Sequence, residues 1–202
     1  MKTKLFFTAL LIAFTQSIYA QTTSIPDSNF EQALIDLGID SDGIINGQVF
    51  TADIENVLTL DVSNKEISDL TGIEGFNSLE ELECNFNQLT SLDLSQNTEI
   101  IFLNTSYNSL ESIDLTSLTV LEYLLCDSNQ LTSLDVSHNT ELKSLECGAN
   151  NLTTLDLSYN LLLDDLACSE NQLISLDATQ NVALTKLLCQ DNPLLKVLNI
   201  TE

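Results

Sequence analysis

Residues 121–141 read LEYLLCDSNQLTSLDVSHNTE, and units with the same pattern recur every 21 residues. These units begin at Leu79, Ile100, Leu121, Leu142, Leu163 and Leu184. A related unit of 22 residues, 57–78, precedes them, and the last unit becomes irregular around Pro193. A fixed period of this length predicts a solenoid, in which each coil buries its apolar face by stacking on its neighbours.

Each unit contains two similar halves, which we expect to form two short strands. In the unit quoted above, Leu124-Leu-Cys126 is echoed by Leu134-Asp-Val136. In both segments every second residue is apolar and predicted to point inward, which is typical of strands with one buried side. The sequence therefore predicts a mainly β solenoid with two parallel ladders of strands on opposite sides. Asparagines at the strand ends, such as Asn129 and Asn139, are expected to turn the chain and bond backbone groups of the next coil.

The pattern L-x-x-L-x-C-x-x-N-x-L-x-x-L-D-L-S-x-N resembles the leucine-rich repeat family over residues 57–200, and its bacterial 21-residue class in particular. The 22-residue leading unit is similar to internalin repeats. The segment Ile25-Pro-Asp-Ser-Asn-Phe30 resembles the N-terminal part of secreted flavobacterial leucine-rich repeat proteins. The resemblance implies a leucine-rich repeat stack of short parallel strands in an exported protein, and such relatives often carry a C-terminal sorting domain.

The N-terminal part of the chain departs from the repeat. Residues 1–20 contain two lysines, an apolar run and small residues before Ala20, which predict a signal peptide. The protein is then exported to the periplasm, the cell surface or the medium. Residues 21–56 predict an N-terminal cap, in which Phe30, Ala33 and Leu34 lie at helical spacing on a helix that ends at Gly38. Residues 57–202 are predicted to form the leucine-rich repeat domain.

No comparable cap sequence follows Ile200. An open coil exposes apolar residues that a solenoid otherwise covers. We expect either self-association through this last coil or a chain that is a shortened form of a longer one.

The charge balance excludes two classes of partner. The chain has 30 acidic residues, six lysines and a formal net charge of −24. Four of the lysines lie beyond residue 20 with all the acidic residues, so the exported part would carry −26. Such a chain is repelled by nucleic acid and by anionic membrane surfaces. No segment after residue 20 is long and apolar enough to predict a transmembrane helix.

Five cysteines share one position of the unit: Cys84, Cys126, Cys147, Cys168 and Cys189, with Thr105 in the remaining unit. Disulfides are common in exported proteins, but the Cβ vectors of stacked residues run parallel rather than toward each other. A metal site needs converging ligands, whereas stacked positions form a straight line. We therefore expect the cysteines to be small buried apolar residues.

A second row, the aspartate row, consists of Asp93, Asp114, Asp135, Asp156 and Asp177, each between two apolar residues. Outward carboxylates about 4.8 Å apart repel each other by about 1 kcal/mol even in water. We expect hydrogen bonds from the serine or threonine two residues away, and from turn amides, to offset this repulsion. Calcium bridging is an alternative, since this ion prefers carboxylate oxygens. Ligand recognition is a third interpretation.

Two short motifs are expected to be structural. Asp40-Ser-Asp42-Gly43 resembles part of a calcium loop, but the other ligand positions carry unsuitable residues, so an ordinary turn is predicted. His138 follows Asp135 and Ser137 in sequence. Adjacent residues of a strand face opposite ways, so no catalytic triad is predicted.

The outward positions of the first half-repeat vary between units, whereas those of the second do not, and this variability favours a binding surface. Aromatic and apolar residues cluster there beside acidic ones. The cluster comprises Phe86, Phe102, Tyr107, Tyr123 and Leu125, with Glu81 and Glu83 at its rim. Clustered exposed aromatics are typical of binding hot spots, and an acidic rim favours a basic partner. The alternative is that the rings cover a coil edge and serve packing.

These observations predict a non-catalytic, exported binding module without a cofactor, whose variable strand face holds a protein, peptide or glycan. The alternative is a structural or adhesive solenoid stabilised by divalent cations on the aspartate row. An enzyme is not expected, because no insertion interrupts the units to form a cleft and no nucleophile–base pair can be assembled.

Overall fold

The computed structural model describes residues 21–200, so the predicted signal peptide, residues 1–20, lies outside the described part of the chain. In chain order the elements are β1 (Thr22–Ser24), α1 (Ser28–Asp36), β2 (Gln48–Phe50), α2 (Thr51–Ile54), β3 (Thr59–Asp61), a 3-10 helix (Ile73–Gly75), β4 (Glu81–Glu83), β5 (Phe102–Asn104), β6 (Tyr123–Leu125), β7 (Ser144–Glu146), β8 (Asp165–Ala167), β9 (Ser175–Ala178), β10 (Lys186–Leu188) and β11 (Val197–Ile200). Strands β3 to β8 and β10 form one parallel sheet of seven strands, one per coil. This confirms the predicted mainly β solenoid.

The sheet keeps the 21-residue period in its register. Leu82 of β4 pairs with Leu103 of β5, and Leu103 pairs with Leu124 of β6. These central residues are fully buried, because successive side chains of a strand point to opposite sides. Buried leucines from both halves of each unit fill the inside of the coils in one continuous core. Each coil is therefore stabilised mainly by its neighbours.

The N-terminal cap combines α1 with a two-stranded antiparallel sheet of β1 and β2. The carboxylate of Asp27 caps the helix by accepting the N–H of Phe30 with one oxygen. Its other oxygen accepts the N–H of Ser68, which ties the cap to the leading unit. Phe30 is fully buried, with its ring centroid 6.3 Å from that of Phe76. The helical part of the fold is thus small, and it packs against the first coil.

Two rows of asparagines connect each coil to the one before it. The first row is Asn87, Asn108, Asn129, Asn150, Asn171 and Asn192, and the second is Asn97, Asn139, Asn160 and Asn181. The Asn150 amide donates to the carbonyls of Cys126 in the preceding coil and Cys147 in its own, at 3.0 and 3.2 Å. Its Oδ1 accepts the N–H of Leu131 at 3.0 Å. The asparagines thus bond backbone groups of another coil as predicted, but this coil is the preceding one and not the next, because each amide reaches back along the stack.

The predicted second ladder of strands is wrong over most of its length. Within residues 21–200, the second halves pair as strands only in β9 and β11. Elsewhere side chains replace the ladder: Asp93 Oδ1 accepts the N–H of Ser95, and the Asn97 amide donates to the carbonyls of Ile73 and Phe76 in the preceding unit. A period-two pattern thus buries its leucines without forming ladder hydrogen bonds, because side chains satisfy the backbone groups.

The cysteines form a buried row with free thiols. Cys84, Cys126, Cys147 and Cys168 are buried, and Cys189 in the last coil is partly exposed. The buried Thr105 hydroxyl donates to the carbonyl of Leu125 at 3.4 Å, as the Cys84 thiol does to that of Asn104. Burial raises the pKa of the Cys84 and Cys168 thiols to about 12, so they stay protonated and unreactive. The expectation of small buried apolar residues is confirmed for these four cysteines and not for Cys189.

The last described coil leaves large apolar side chains exposed. They are Leu188, Leu194, Val197, Leu198 and Ile200, and Val182 is exposed just before this coil. The self-association predicted for this coil stays a prediction. Among residues 21–200, none of the helices has the length and apolar character needed to cross a membrane.

Candidate functional site

The outer face of the seven-stranded sheet, here called the sheet face, carries the side chains that vary between units. The register places Glu81, Phe102, Tyr123, Ser144, Asp165 and Lys186 side by side at the first position of β4 to β8 and β10. The third position carries Glu83, Asn104, Leu125, Glu146, Ala167 and Leu188. The face therefore changes from aromatic to polar along the stack.

Phe102 and Tyr123 form one aromatic pair on this face. They are register partners on β5 and β6, and their ring centroids lie 6.4 Å apart with the ring planes tilted by 37°. Tyr123 is exposed and Phe102 is partly exposed. Glu81 precedes Phe102 in the same row and is also exposed. This pair is held by the ladder itself, so its position follows from the 21-residue period.

Phe86 and Tyr107 form a second pair just beyond the strands. Their ring centroids lie 4.2 Å apart and the ring planes differ by 8°, which is a close parallel stack. Both side chains are 51% exposed. Both residues have left-handed backbones, with φ of 54° and 57°, a conformation that costs a non-glycine residue about 1–2 kcal/mol. The same conformation recurs at the equivalent residue of each following unit. At this point the chain turns so that the asparagine that follows in every unit points inward.

The predicted cluster is divided into two groups by the fold. Phe86, Tyr107 and Leu125 line a groove of about 450 Å³ that runs across the coils beyond the strand ends. The Phe102–Tyr123 pair and Glu81 lie at the other end of the strands, outside this groove. Glu83 is the last residue of β4, in the same row as Leu125, and is partly buried. The rings therefore offer two contact regions on one face.

Carboxylates and small side chains line the rest of the groove. Asp127 and Glu146 lie beside Leu125, and Glu170 lies further along the stack. Asp127 Oδ1 accepts the N–H of Gly148 at 2.6 Å. Burial, and to a smaller extent the charge of Glu146, raise the pKa of Asp127 to about 6, although the bond from Gly148 lowers it. The groove thus contains a partly desolvated acid next to a second carboxylate.

Gly148 provides the space for the Asp127 carboxylate. A Cβ atom at this glycine would lie 3.0 Å from Asp127 Oδ1 and 3.2 Å from the carbonyl oxygen of Ser169. It is the single glycine in residues 79–200, and it follows Asp127 by one period. This pair was not among the residues predicted from the repeat pattern. A lone glycine at a repeat position filled by larger residues elsewhere was the signal that could have found it.

The aspartate row lies on the other side of the coils, and all five carboxylates are exposed. Asp93, Asp114, Asp135, Asp156 and Asp177 each accept the N–H of the residue two positions later. Thr116 and Thr179 also donate their hydroxyls to Asp114 and Asp177, at 2.7 Å in both cases. These bonds lower the pKa of all five carboxyls. The expectation of local hydrogen bonds is confirmed.

The other candidate motifs have local roles. Asp42 accepts the N–H of Ile44 and the side-chain amide of Asn46, which fixes the turn after Asp40. Within residues 21–200, no group of three or more His, Cys, Asp or Glu side chains is arranged to hold a metal ion.

The expectation that Ser137 and His138 point apart is wrong. The Ser137 hydroxyl lies 3.2 Å from Nδ1 of His138, because this segment is not a strand and adjacent side chains can meet. Both residues are exposed, and Asp135 accepts the N–H of Ser137 rather than an imidazole N–H. The contact therefore lacks the carboxylate–imidazole bond of a catalytic triad.

Comparison with known proteins places this architecture among bacterial leucine-rich repeat solenoids. No protein-family model matches the chain. It is 47% identical over 45 residues to internalin J of Listeria monocytogenes serotype 4b, an overlap that covers 22% of this chain and 5% of the relative. The solved functional domain of internalin J from L. monocytogenes, described as including a cysteine ladder, is 32% identical with a TM-score of 0.54. The fold is internalin-like.

The extent of these matches differs. The internalin J domain covers 91% of this chain, whereas the chain spans only 49% of that domain. Internalin C2 of L. monocytogenes is 24% identical with a TM-score of 0.62, and the match covers 91% of this chain and 92% of the other. The second comparison supports the fold alone. An internalin-like solenoid typically presents an extended surface for protein interaction and is typically non-enzymatic.

Proposed function

We propose that this chain is a non-catalytic, exported binding module whose sheet face contacts a protein partner. The observation that carries the proposal is the presence of two accessible aromatic pairs, Phe102–Tyr123 on this face and Phe86–Tyr107 just beyond the opposite ends of its strands. Rings that remain accessible in an otherwise regular repeat supply large apolar contact area at low entropic cost. Peptide segments and glycans would use the same rings, and the protein class is favoured because internalin-like folds serve protein interaction.

The charge of the chain supports a basic partner. Glu81 is exposed beside the Phe102–Tyr123 pair, and Glu83 is the third residue of the same strand. With four lysines beyond residue 20 and 30 acidic residues, the field around the solenoid is strongly negative. Electrostatic steering would accelerate association with a basic surface and would weaken as salt rises. Export follows from the predicted signal peptide and brings the face into contact with extracytoplasmic partners.

The repeat itself provides a substitution that tests this proposal without disturbing the coil. Changing Phe102→Ser and Tyr123→Ser copies Ser144, which occupies the equivalent position two coils later than Phe102. We expect the double variant to keep its circular dichroism spectrum and melting temperature and to lose capture of the partner that the parent protein retains from its native environment. Bound proteins are identified by mass spectrometry after salt elution.

The matched control is Tyr159→Gln. Tyr159 is 59% exposed but lies beside the aspartate row, and Gln96 and Gln180 occupy its equivalent positions. This variant should capture the same partner as the parent protein. If the double variant retains the partner equally well, or if Tyr159→Gln loses it, the sheet face is not the binding surface.

A further inference from the structure

Among residues 21–200, one face of the Tyr107 ring has no aromatic neighbour. Phe86 stacks on its other face at 4.2 Å, and the period places Ser128 next in the same row, followed by Ala149. Stacked coils are separated by about 4.8 Å, close to the thickness of one stacked planar group. Ser128 and Ala149 line the groove together with Tyr107. Their small side chains leave a slot into which the aromatic stack can continue.

The slot is bordered by negative charge that is not neutralised by a lysine within the groove. Asp127 and Glu146 line it, and none of the described residues that line it is a lysine. Lys186, whose charge reaches Glu146, donates to Asp165 at 2.8 Å. Taking a carboxylate partly out of water without a counter-charge is unfavourable, so a cation that enters the slot is attracted to both acids.

A buried hydroxyl supplies an independent polar contact. Ser106 is 6% exposed and lines the groove next to Tyr107, and its Oγ has no hydrogen-bond partner in the described part of the chain. Buried hydroxyl oxygens are normally hydrogen-bonded. This oxygen is turned away from the groove surface, and a change of the Ser106 rotamer would bring it within reach of a donor from a ligand lying against Tyr107. The ligand group is therefore flat, cationic and rich in N–H donors.

We propose that this end of the groove binds the guanidinium group of an arginine side chain presented by the protein partner. The inference rests on the proposed function and specifies its chemistry. The guanidinium plane stacks on the free face of Tyr107, while its N–H groups donate to the Asp127 and Glu146 carboxylates and to Ser106 Oγ. A lysine ammonium carries the same charge but lacks the plane and the fork of donors.

The test uses three blocked tripeptides, Ac-Gly-X-Gly-NH2, in which X is arginine, lysine or citrulline. Citrulline keeps the planar shape of arginine and removes its charge. Binding to the purified protein is followed by the NMR shift of the Gly148 amide, whose N–H donates to Asp127. We expect the arginine peptide to bind about tenfold more tightly than the other two, because it alone combines stacking and charge.

Two variants that copy neighbouring coils test the assignment. Tyr107→Ser copies Ser128, and Asp127→Ser copies Ser106 and Ser169. Each should keep the circular dichroism spectrum of the parent and weaken the arginine peptide about tenfold, whereas Tyr159→Gln should bind it as the parent does. Equal affinity for arginine and lysine, unchanged affinity in both variants, or no shift at Gly148 would overturn the proposal. If these two variants keep the partner that Phe102→Ser/Tyr123→Ser loses, the proposed function stands and the arginine site does not.

Discussion

The two sides of the solenoid satisfy the hydrogen-bonding groups of their backbones in different ways. On the sheet face, the backbones of successive coils bond to each other, as in the pairing of Glu81 with Phe102 and of Phe102 with Tyr123. On the aspartate row, side chains accept and donate the bonds, as when Asp93 accepts the N–H of Ser95. Where backbone groups of neighbouring coils bond to each other, the outward side chains are free to vary. Where side chains satisfy the backbone, they are fixed by that task.

This difference explains where function can develop in the repeat. Outward positions of the sheet face hold phenylalanine, tyrosine, serine, aspartate and lysine in successive coils without changing the register. The aspartate row holds one residue type in five coils. A contact surface for a partner therefore evolves on the first side at little structural cost, and we expect the second side to serve stability.

The largest effect should come from a side chain that replaces backbone bonds inside the coil. Asn150→Ala removes the amide that donates to Cys126 and Cys147 and the oxygen that accepts from Leu131. We expect the free energy of unfolding to fall by about 3 kcal/mol or more, since each buried group left without a partner costs about 1–3 kcal/mol. Urea unfolding followed by circular dichroism measures this loss.

The matched change on the sheet face is Ser144→Ala, which removes an outward hydroxyl from β7. Its cost should stay within about 0.5 kcal/mol, as for most surface substitutions. Equal losses for Asn150→Ala and Ser144→Ala would contradict the division between fixed and free side chains, because the sheet face would then depend on its outward residues too.

The repeat pattern predicted the coil but could not distinguish these two sides. Leu124-Leu-Cys126 and Leu134-Asp-Val136 have the same alternation, and periodicity reports only which residues turn inward. Whether neighbouring backbones bond depends on the width of the coil and on competition from side chains, which a single unit does not encode. The buried cysteines were predictable because stacking forces equivalent residues into the same environment.

The sequence predicted which residues belong to the candidate site but not how they are arranged. Variability between units identified the aromatic residues, and register then fixed Phe102 beside Tyr123. The groove was not predictable, because it depends on how far the chain turns out after the strand at Phe86 and Tyr107, where the backbone is left-handed. The space that Gly148 leaves for Asp127 also requires the three-dimensional stack.

Lowering the pH should change the stability contributions of Asp127 and Asp135 in opposite directions. Both changes in the free energy of unfolding should be smaller than the loss expected for Asn150→Ala. Burial raises the pKa of Asp127 to about 6, so folding favours its protonated form, and its contribution to stability grows as pH falls through that value. The hydroxyl and amide of Ser137 lower the pKa of Asp135, so its contribution is present above about pH 4 and is lost in stronger acid. Melting temperatures measured from about pH 7 to about pH 3 give both trends.

Two variants, Asp127→Ser and Asp135→Asn, test whether each pH trend arises from the carboxyl to which it is assigned. Relative to Asp127→Ser, the parent protein should gain stability as pH falls from about 7 to about 5. Relative to Asp135→Asn, it should lose its advantage only below about pH 4. Parallel profiles of melting temperature against pH for the parent protein and both variants would show that neither carboxyl has the shifted pKa assigned to it.

The smallest expected effect is that of calcium on the aspartate row. Each carboxylate already accepts a bond from the residue two positions later, as Asp114 does from Thr116, and the five side chains form a line instead of converging. A cation that binds the folded state raises its stability by an amount that grows with the logarithm of its concentration. We expect the melting temperature in millimolar calcium to equal that in chelator. A rise that disappears in Asp135→Asn would identify a cation-stabilised solenoid, and the invariant side of the repeat would then be a ligand surface in its own right.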